Sequence, residues 1–77
     1  MTLAEALSKR VNNLLEENNM SQYKLFKLSG VSQSTISDIR NMKNGTVNTR
    51  IIYEIAQGFG MSIKEFFNDA IFDEVCD

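Results

Sequence analysis

Apolar residues recur along this chain every three to four positions, the spacing of helices that bury one side. Leu3, Leu7, Val11, Leu14 and Leu15 form the first such stripe. Thr2, with Glu5 three residues on, has the form of a capping box at its start, and the polar run Glu16 to Asn19 ends it. Ser21 is a good N-cap for a short second helix carrying Leu25, Phe26 and Leu28. Gly30 is placed to stop that helix in a left-handed conformation. After Val31, Ser32 can cap a third helix with Ile36 and Ile39 inward. Residues 41–47 read as a loop, with Asn44-Gly45 the strongest turn signal. Asn48 can cap a fourth helix with Ile51, Ile52, Ile55, Ala56 and Phe59 inward, its end marked by Gly58 and Gly60. Ser62, again with Glu65 three residues on, caps a fifth that presents Ile63, Phe66 and Phe67, then Ala70 and Ile71. No stretch alternates with the period of a strand. The pattern predicts an all-α, compact five-helix domain over 1–68. Residues 69–77 form an acidic tail that could extend the last helix, fray, or pack on a second subunit.

The informative segment is Gln22 to Asn41. Two short helices around a tight turn at Gly30, with Leu25, Val31, Ile36 and Ile39 buried, have the layout of a helix-turn-helix. In that motif the second helix lies in the DNA major groove. Any helical hairpin shares the outline; the outer face of the third helix separates the two readings. That face is Gln33, Ser34, Ser37, Asp38 and Asn41. It holds short amides and hydroxyls and one charge, groups suited to base edges: Gln pairs bidentately with adenine, Ser donates or accepts, and Asp accepts from a cytosine amino group. A helix that merely faces solvent more often carries Glu and Lys there.

Charge sharpens this picture. The whole chain has a net charge of −2, which by itself argues against a nucleic-acid partner. Residues 21–50, however, carry Lys24, Lys27, Arg40, Lys43 and Arg50 against Asp38 alone, a net +4. Residues 65–77 carry Glu65, Asp69, Asp73, Glu74 and Asp77, a net −5. A phosphate backbone meets one face, so this segregation matters more than the average. As a set without acidic neighbours, Lys24, Lys27, Lys43 and Arg50 point to phosphate.

Composition narrows the chemistry. With 77 residues there is room for one small domain. The chain has no His, the commonest general base, and a single cysteine, Cys76, so neither an internal disulfide nor a Cys-based metal site is expected. No paired-carboxylate or phosphate-loop pattern appears, and the expectation is a protein that is not an enzyme and uses no cofactor. The four methionines carry no functional expectation. No apolar run nears the ~20 residues of a membrane span, so no membrane association is expected. The lone thiol and the lack of a secretion signal suit the cytoplasm.

The run Met20-Ser21-Gln22, then Leu25, then Leu28-Ser29-Gly30-Val31-Ser32-Gln33-Ser34-Thr35-Ile36-Ser37 resembles the phage Cro/C1-type helix-turn-helix family, also called the Xre family. Arg10-Val11 with Leu14 resembles its first helix. Ile55-Ala56, Phe59, Met61-Ser62, Ile63 and Phe66-Phe67 resemble its fourth and fifth. The resemblance spans about residues 8–68 and implies a lambda repressor-like DNA-binding fold. It also implies a transcriptional regulator, usually dimeric on double-stranded operator DNA. By the same resemblance Gln33, Ser34, Ser37 and Asp38 face base edges, and Gln22 contacts phosphate from a helix N-terminus. The loop after the third helix (Lys43, Asn44, Asn48) and the start of the fourth (Thr49, Arg50) contact the backbone, and Ser32 and Thr35 join that phosphate set.

The chain departs from the family at Phe26, where Ala is common, which requires a shifted helix or an outward ring. It departs again at Leu15 and Arg40, where an Arg is often paired with a Glu; Arg40 is thus expected to lack a carboxylate and to be free for phosphate. The expected activity is a repressor acting by operator occupancy as a homodimer. The alternative is a protein-interaction module, such as an antitoxin or a phage accessory protein, using the acidic, part-apolar tail.

Overall fold

The computed structural model describes residues 1–43 and 47–76. The described residues form five α-helices and one closing 3-10 turn, with no strand among them: α1 (Leu3–Glu17), α2 (Gln22–Ser29), α3 (Gln33–Arg40), α4 (Thr49–Gly58), α5 (Ile63–Phe67) and the 3-10 turn (Ala70–Glu74).

Each helix starts where its sequence supplies an acceptor for its unpaired amides. Thr2 accepts from the Glu5 amide at 3.1 Å and Glu5 accepts in return from the Thr2 amide at 2.9 Å. Ser62 and Glu65 repeat this box on α5, both bonds being 3.0 Å. These bonds hold both carboxyls below their ordinary value. Ser21, Ser32 and Asn48 cap α2, α3 and α4 through the amides of Lys24, Thr35 and Ile51. Gly30 ends α2 at φ +78°, as its position predicted.

The core gathers the inner stripes of every helix around fully buried Val11, Leu25, Ile36, Ile55 and Phe66. α2 packs on α4, and α1 on α3. The first of these contacts depends on Gly58. A Cβ there would come within 2.9 Å of Leu25 Cδ1 and Ser29 Cβ, so this glycine sets the distance between helices as well as standing last in α4.

Three expectations are corrected at the periphery. Leu3 and Phe67 are 43% and 41% exposed, so each stripe loses its outermost member. α5 stops at Phe67, and Ala70 and Ile71 stand on the 3-10 turn, because Asp69 accepts from the Ile71 amide at 2.9 Å and starts a new turn there. Phe26 is half-buried against the core and tilted against Tyr23, ring centroids 5.9 Å apart, so its ring is neither swallowed nor fully outward.

The C-terminal segment returns to the start of the chain. The Met1 ammonium donates to the Glu74 carbonyl at 3.0 Å, and the Cys76 amide donates to the Met1 carbonyl at 2.9 Å. Phe72 packs on the core, its ring centroid 4.9 Å from that of Phe67. Arg10, nearly buried, ties this region to α1. Its Nε donates to the Phe66 carbonyl at 2.7 Å, Nη2 to the Glu65 carbonyl at 3.1 Å and Nη1 to the Asp69 carboxylate at 3.1 Å. The guanidinium thus supplies a donor to the Phe66 carbonyl at the end of α5, and a second donor to the Glu65 carbonyl, which also accepts from the Asn68 amide at 3.1 Å.

Candidate nucleic-acid interface

α3 is two-sided. Ile36 and Ile39 are buried at 0% and 2%, which fixes the rotation of the helix. On its other side Gln33, Ser34 and Asn41 are exposed, while Ser37 and Asp38 are half-buried. The five residues expected at base edges therefore form one polar row. They are not equally available. The Asn41 amide donates to the Ser37 carbonyl at 2.8 Å and lies 3.3 Å from the Ser37 hydroxyl, folding back on its own helix. At the N-terminus Ser32, Ser34 and Thr35 share hydroxyl contacts of 3.2 and 2.9 Å, so part of their hydrogen-bonding capacity serves the cap.

Gln22 opens α2 beside this row. Its Nε2 stands 3.4 Å from the Gln33 carbonyl, and its Oε1 accepts from Arg40 Nη1 at 3.0 Å. Arg40 Nε donates to Asn12 Oδ1 at 2.6 Å, and the Arg40 carbonyl accepts from the Ser8 hydroxyl at 2.7 Å. A single chain of hydrogen bonds thus runs from α1 through the end of α3 to the start of α2. It corrects the expectation that Arg40 is free: two amide oxygens hold it. Neither of the two ion pairs among the described residues involves Arg40, so its charge is oriented without being neutralised. With Oε1 of Gln22 held on Arg40, its amide Nε2 lies on the side of the α3 N-terminus, by the Gln33 carbonyl.

Sequence reasoning missed Ser8 and Asn12. The signal was present: both are polar, four residues apart, and flank the Leu7–Val11–Leu15 stripe, so they sit where α1 meets a neighbour.

The remaining cations divide. Lys43 and Lys24 are exposed, and Lys27 lies over the Tyr23 ring at 5.8 Å. Arg50 stands 3.5 Å from Glu54, one turn along α4, which corrects the expectation that this set has no acidic neighbour. At 79% exposure that pair is weak and does not hold Arg50 from another anion. Asn48 and Thr49 are exposed at the start of α4, with Asn48 Oδ1 engaged as its cap. Asn44 and the Asn44-Gly45 turn lie outside the described residues.

No helix among the described residues is long and apolar enough to cross a membrane, and no cluster of metal-ligating side chains occurs among them. Residues 10–70 match a family model described as the Cro/C1-type HTH DNA-binding domain. Comparison with curated proteins and comparison with solved structures each gave no match.

Proposed function

The chain belongs to the Cro/C1-type helix-turn-helix DNA-binding family, and on that premise we propose that it is a sequence-specific regulator of transcription that represses by occupying its operator. α3 enters the major groove and reads bases with Gln33, Ser34, Ser37 and Asp38, with Asn41 at the far end of the row. Gln22, Arg40 and Lys43, with Asn48, Thr49 and Arg50 at the start of α4, meet phosphates on either side. Ser32 and Thr35 add hydroxyls at the N-terminus of α3, and Asn44 belongs to the same backbone-contacting loop. Two copies bind a two-fold operator, each α3 one helical turn from the other, in the cytoplasm and without a cofactor.

The observation that carries this reading is the polar row on α3, presented by a helix whose opposite face is locked into the core. A groove-reading helix needs both features, since an unanchored row would rotate and lose its register. The protein-partner alternative has less support. Of the tail's apolar residues, Ile71, Phe72 and Val75 are half-buried against their own chain, with Phe72 on the core.

Selection of bound duplexes from a random pool tests the proposal. It predicts enrichment of a site with two-fold symmetry, bound with an affinity that falls steeply with salt at a log–log slope of about −0.9 per phosphate contacted. Recovery of no sequence preference, or a flat salt response, would overturn it.

A further inference from the structure

We propose that Met42 is an apolar contact to DNA, seated on the C5 methyl of a thymine or on the edge of a deoxyribose. This rests on the DNA-binding reading above and adds a contact outside the polar row.

Three helices finish in the same backbone motif. The residue after the cap turns left-handed, and two amides bond back into the last turn. On α1 that residue is Asn19, at φ +50°, bonded to the Glu16 carbonyl at 3.0 Å, while Met20 reaches Leu15 at 2.8 Å. On α4 it is Gly60, at φ +74°, bonded to Gln57 at 2.9 Å, while Met61 reaches Ala56 at 3.0 Å. On α3 it is Met42, at φ +62°, bonded to Ile39 at 3.2 Å, while Lys43 reaches Asp38 at 2.7 Å.

The left-handed region is open to glycine, tolerable to asparagine and costly to a long side chain. α4 and α1 use the first two. α3 alone of the three places a bulky residue there. Met42 is 52% exposed and stands outside the set packed on the core, whereas Met20 and Met61 belong to it. The two amide bonds hold the left-handed backbone whatever the side chain, and strained residues of this kind cluster at ligand-contacting sites. Here that side chain is apolar, flexible and exposed, and it follows Asn41 at the end of the polar row and precedes Lys43. The thymine methyl is the apolar feature of the major groove, and sugar edges line its rim. An unbranched thioether adapts to either surface.

Stability and affinity should therefore respond to substitution in opposite directions. Met42→Gly is expected to raise Tm by about 4–8 °C, because the backbone strain is gone. It should weaken binding to the selected duplex about fivefold, with the salt slope unchanged. Met42→Leu keeps the apolar surface and should bind like the parent. Met42→Asn suits the backbone without glycine's flexibility and should bind as weakly as Met42→Gly.

Replacing single thymines by uracil separates the two surfaces. If one replacement weakens the parent and leaves Met42→Gly unaffected, the methyl is the partner; if none does while the Leu and Gly variants still differ, it is the deoxyribose. The inference is overturned if Met42→Gly binds as the parent does, if it is less stable than the parent, or if Met42→Asn keeps parental affinity. A parent that binds no duplex removes the functional reading itself, a different failure from a parent that binds and a glycine variant that binds equally well.

Discussion

Two arginines sit at two regions of this small fold and are held in different ways. Arg10 is nearly buried, and its guanidinium meets a carboxylate as well as two carbonyls. Arg40 is half-buried and meets only the amide oxygens of Asn12 and Gln22. The first arrangement neutralises a charge and fastens the C-terminal segment to α1. The second fixes a charge in place and leaves its field standing beside the polar row of α3. Neutral acceptors orient a cation at little cost to its attraction for a third party, whereas a carboxylate cancels it. On the proposed function the same residue type serves structure at one end and recognition at the other, and the partner atoms distinguish them.

The largest effect is expected at the neutralised end. Arg10→Met removes the cation paired with the Asp69 carboxylate and one donor from each of the Phe66 and Glu65 carbonyls, and should destabilise the fold by about 3 kcal/mol, moderated by the partial exposure of Asp69. Urea unfolding measures it. Below the transition the folded variant should bind DNA as the parent does; a selective loss of DNA binding with normal stability would erase the contrast between the two arginines.

Arg40→Met should behave in the opposite way. Its two hydrogen bonds go to uncharged acceptors near the surface, so the stability cost is about 1 kcal/mol. Specific affinity should fall by about 1–3 kcal/mol, because a positioned cation and the orientation of Gln22 are lost together. Combining it with Gln22→Ala sharpens the point: the two losses in binding energy should fall short of additive, since the second variant removes what the first misorients. Full additivity in a fluorescence titration would mean that Arg40 does not act through Gln22.

The smallest effect concerns the two capping boxes, which belong with Arg10 as internal fastenings. The Glu5 and Glu65 carboxyls lie below their ordinary 4.5, chiefly through bonds from the Thr2 and Ser62 amides. A depressed folded value means that the stabilisation is present above 4.5 and is lost as pH falls through the folded value. The Tm gap between the parent and a Glu5→Ala, Glu65→Ala variant should therefore be open at about pH 6 and close towards about pH 3. A gap independent of pH would show that the boxes act without their charge.

The same contrast explains what the sequence made legible. Caps and stripes are local, so all five helix starts and the buried set Leu25, Val31, Ile36 and Ile39 could be read from residue spacing. The polar row on α3 was legible for the same reason, because one helix determines it. The hydrogen-bond chain through Ser8, Asn12, Arg40 and Gln22 was not, since it joins residues up to 32 positions apart and depends on how α1 crosses α3. Gly58 was readable as the end of a helix but not as a spacer, because its close neighbours lie on α2. The return of residues 69–76 to Met1 was likewise hidden: a short acidic segment gives no periodicity to follow, and its anchor is an arginine on the first helix.

The central claim is that α3 reads sequence while the residues around it position the protein, and Gln33→Ala tests it most directly. The measurement is binding of parent and variant to the selected duplex and to scrambled DNA at several salt concentrations, with circular dichroism to confirm the fold. The expected result is a loss of about 1–3 kcal/mol on the selected duplex, relaxed preference at one base position, and nearly unchanged binding to scrambled DNA with the same salt slope. An equal loss on both DNAs by a normally folded variant would contradict it, and would mean that α3 positions the protein without reading bases.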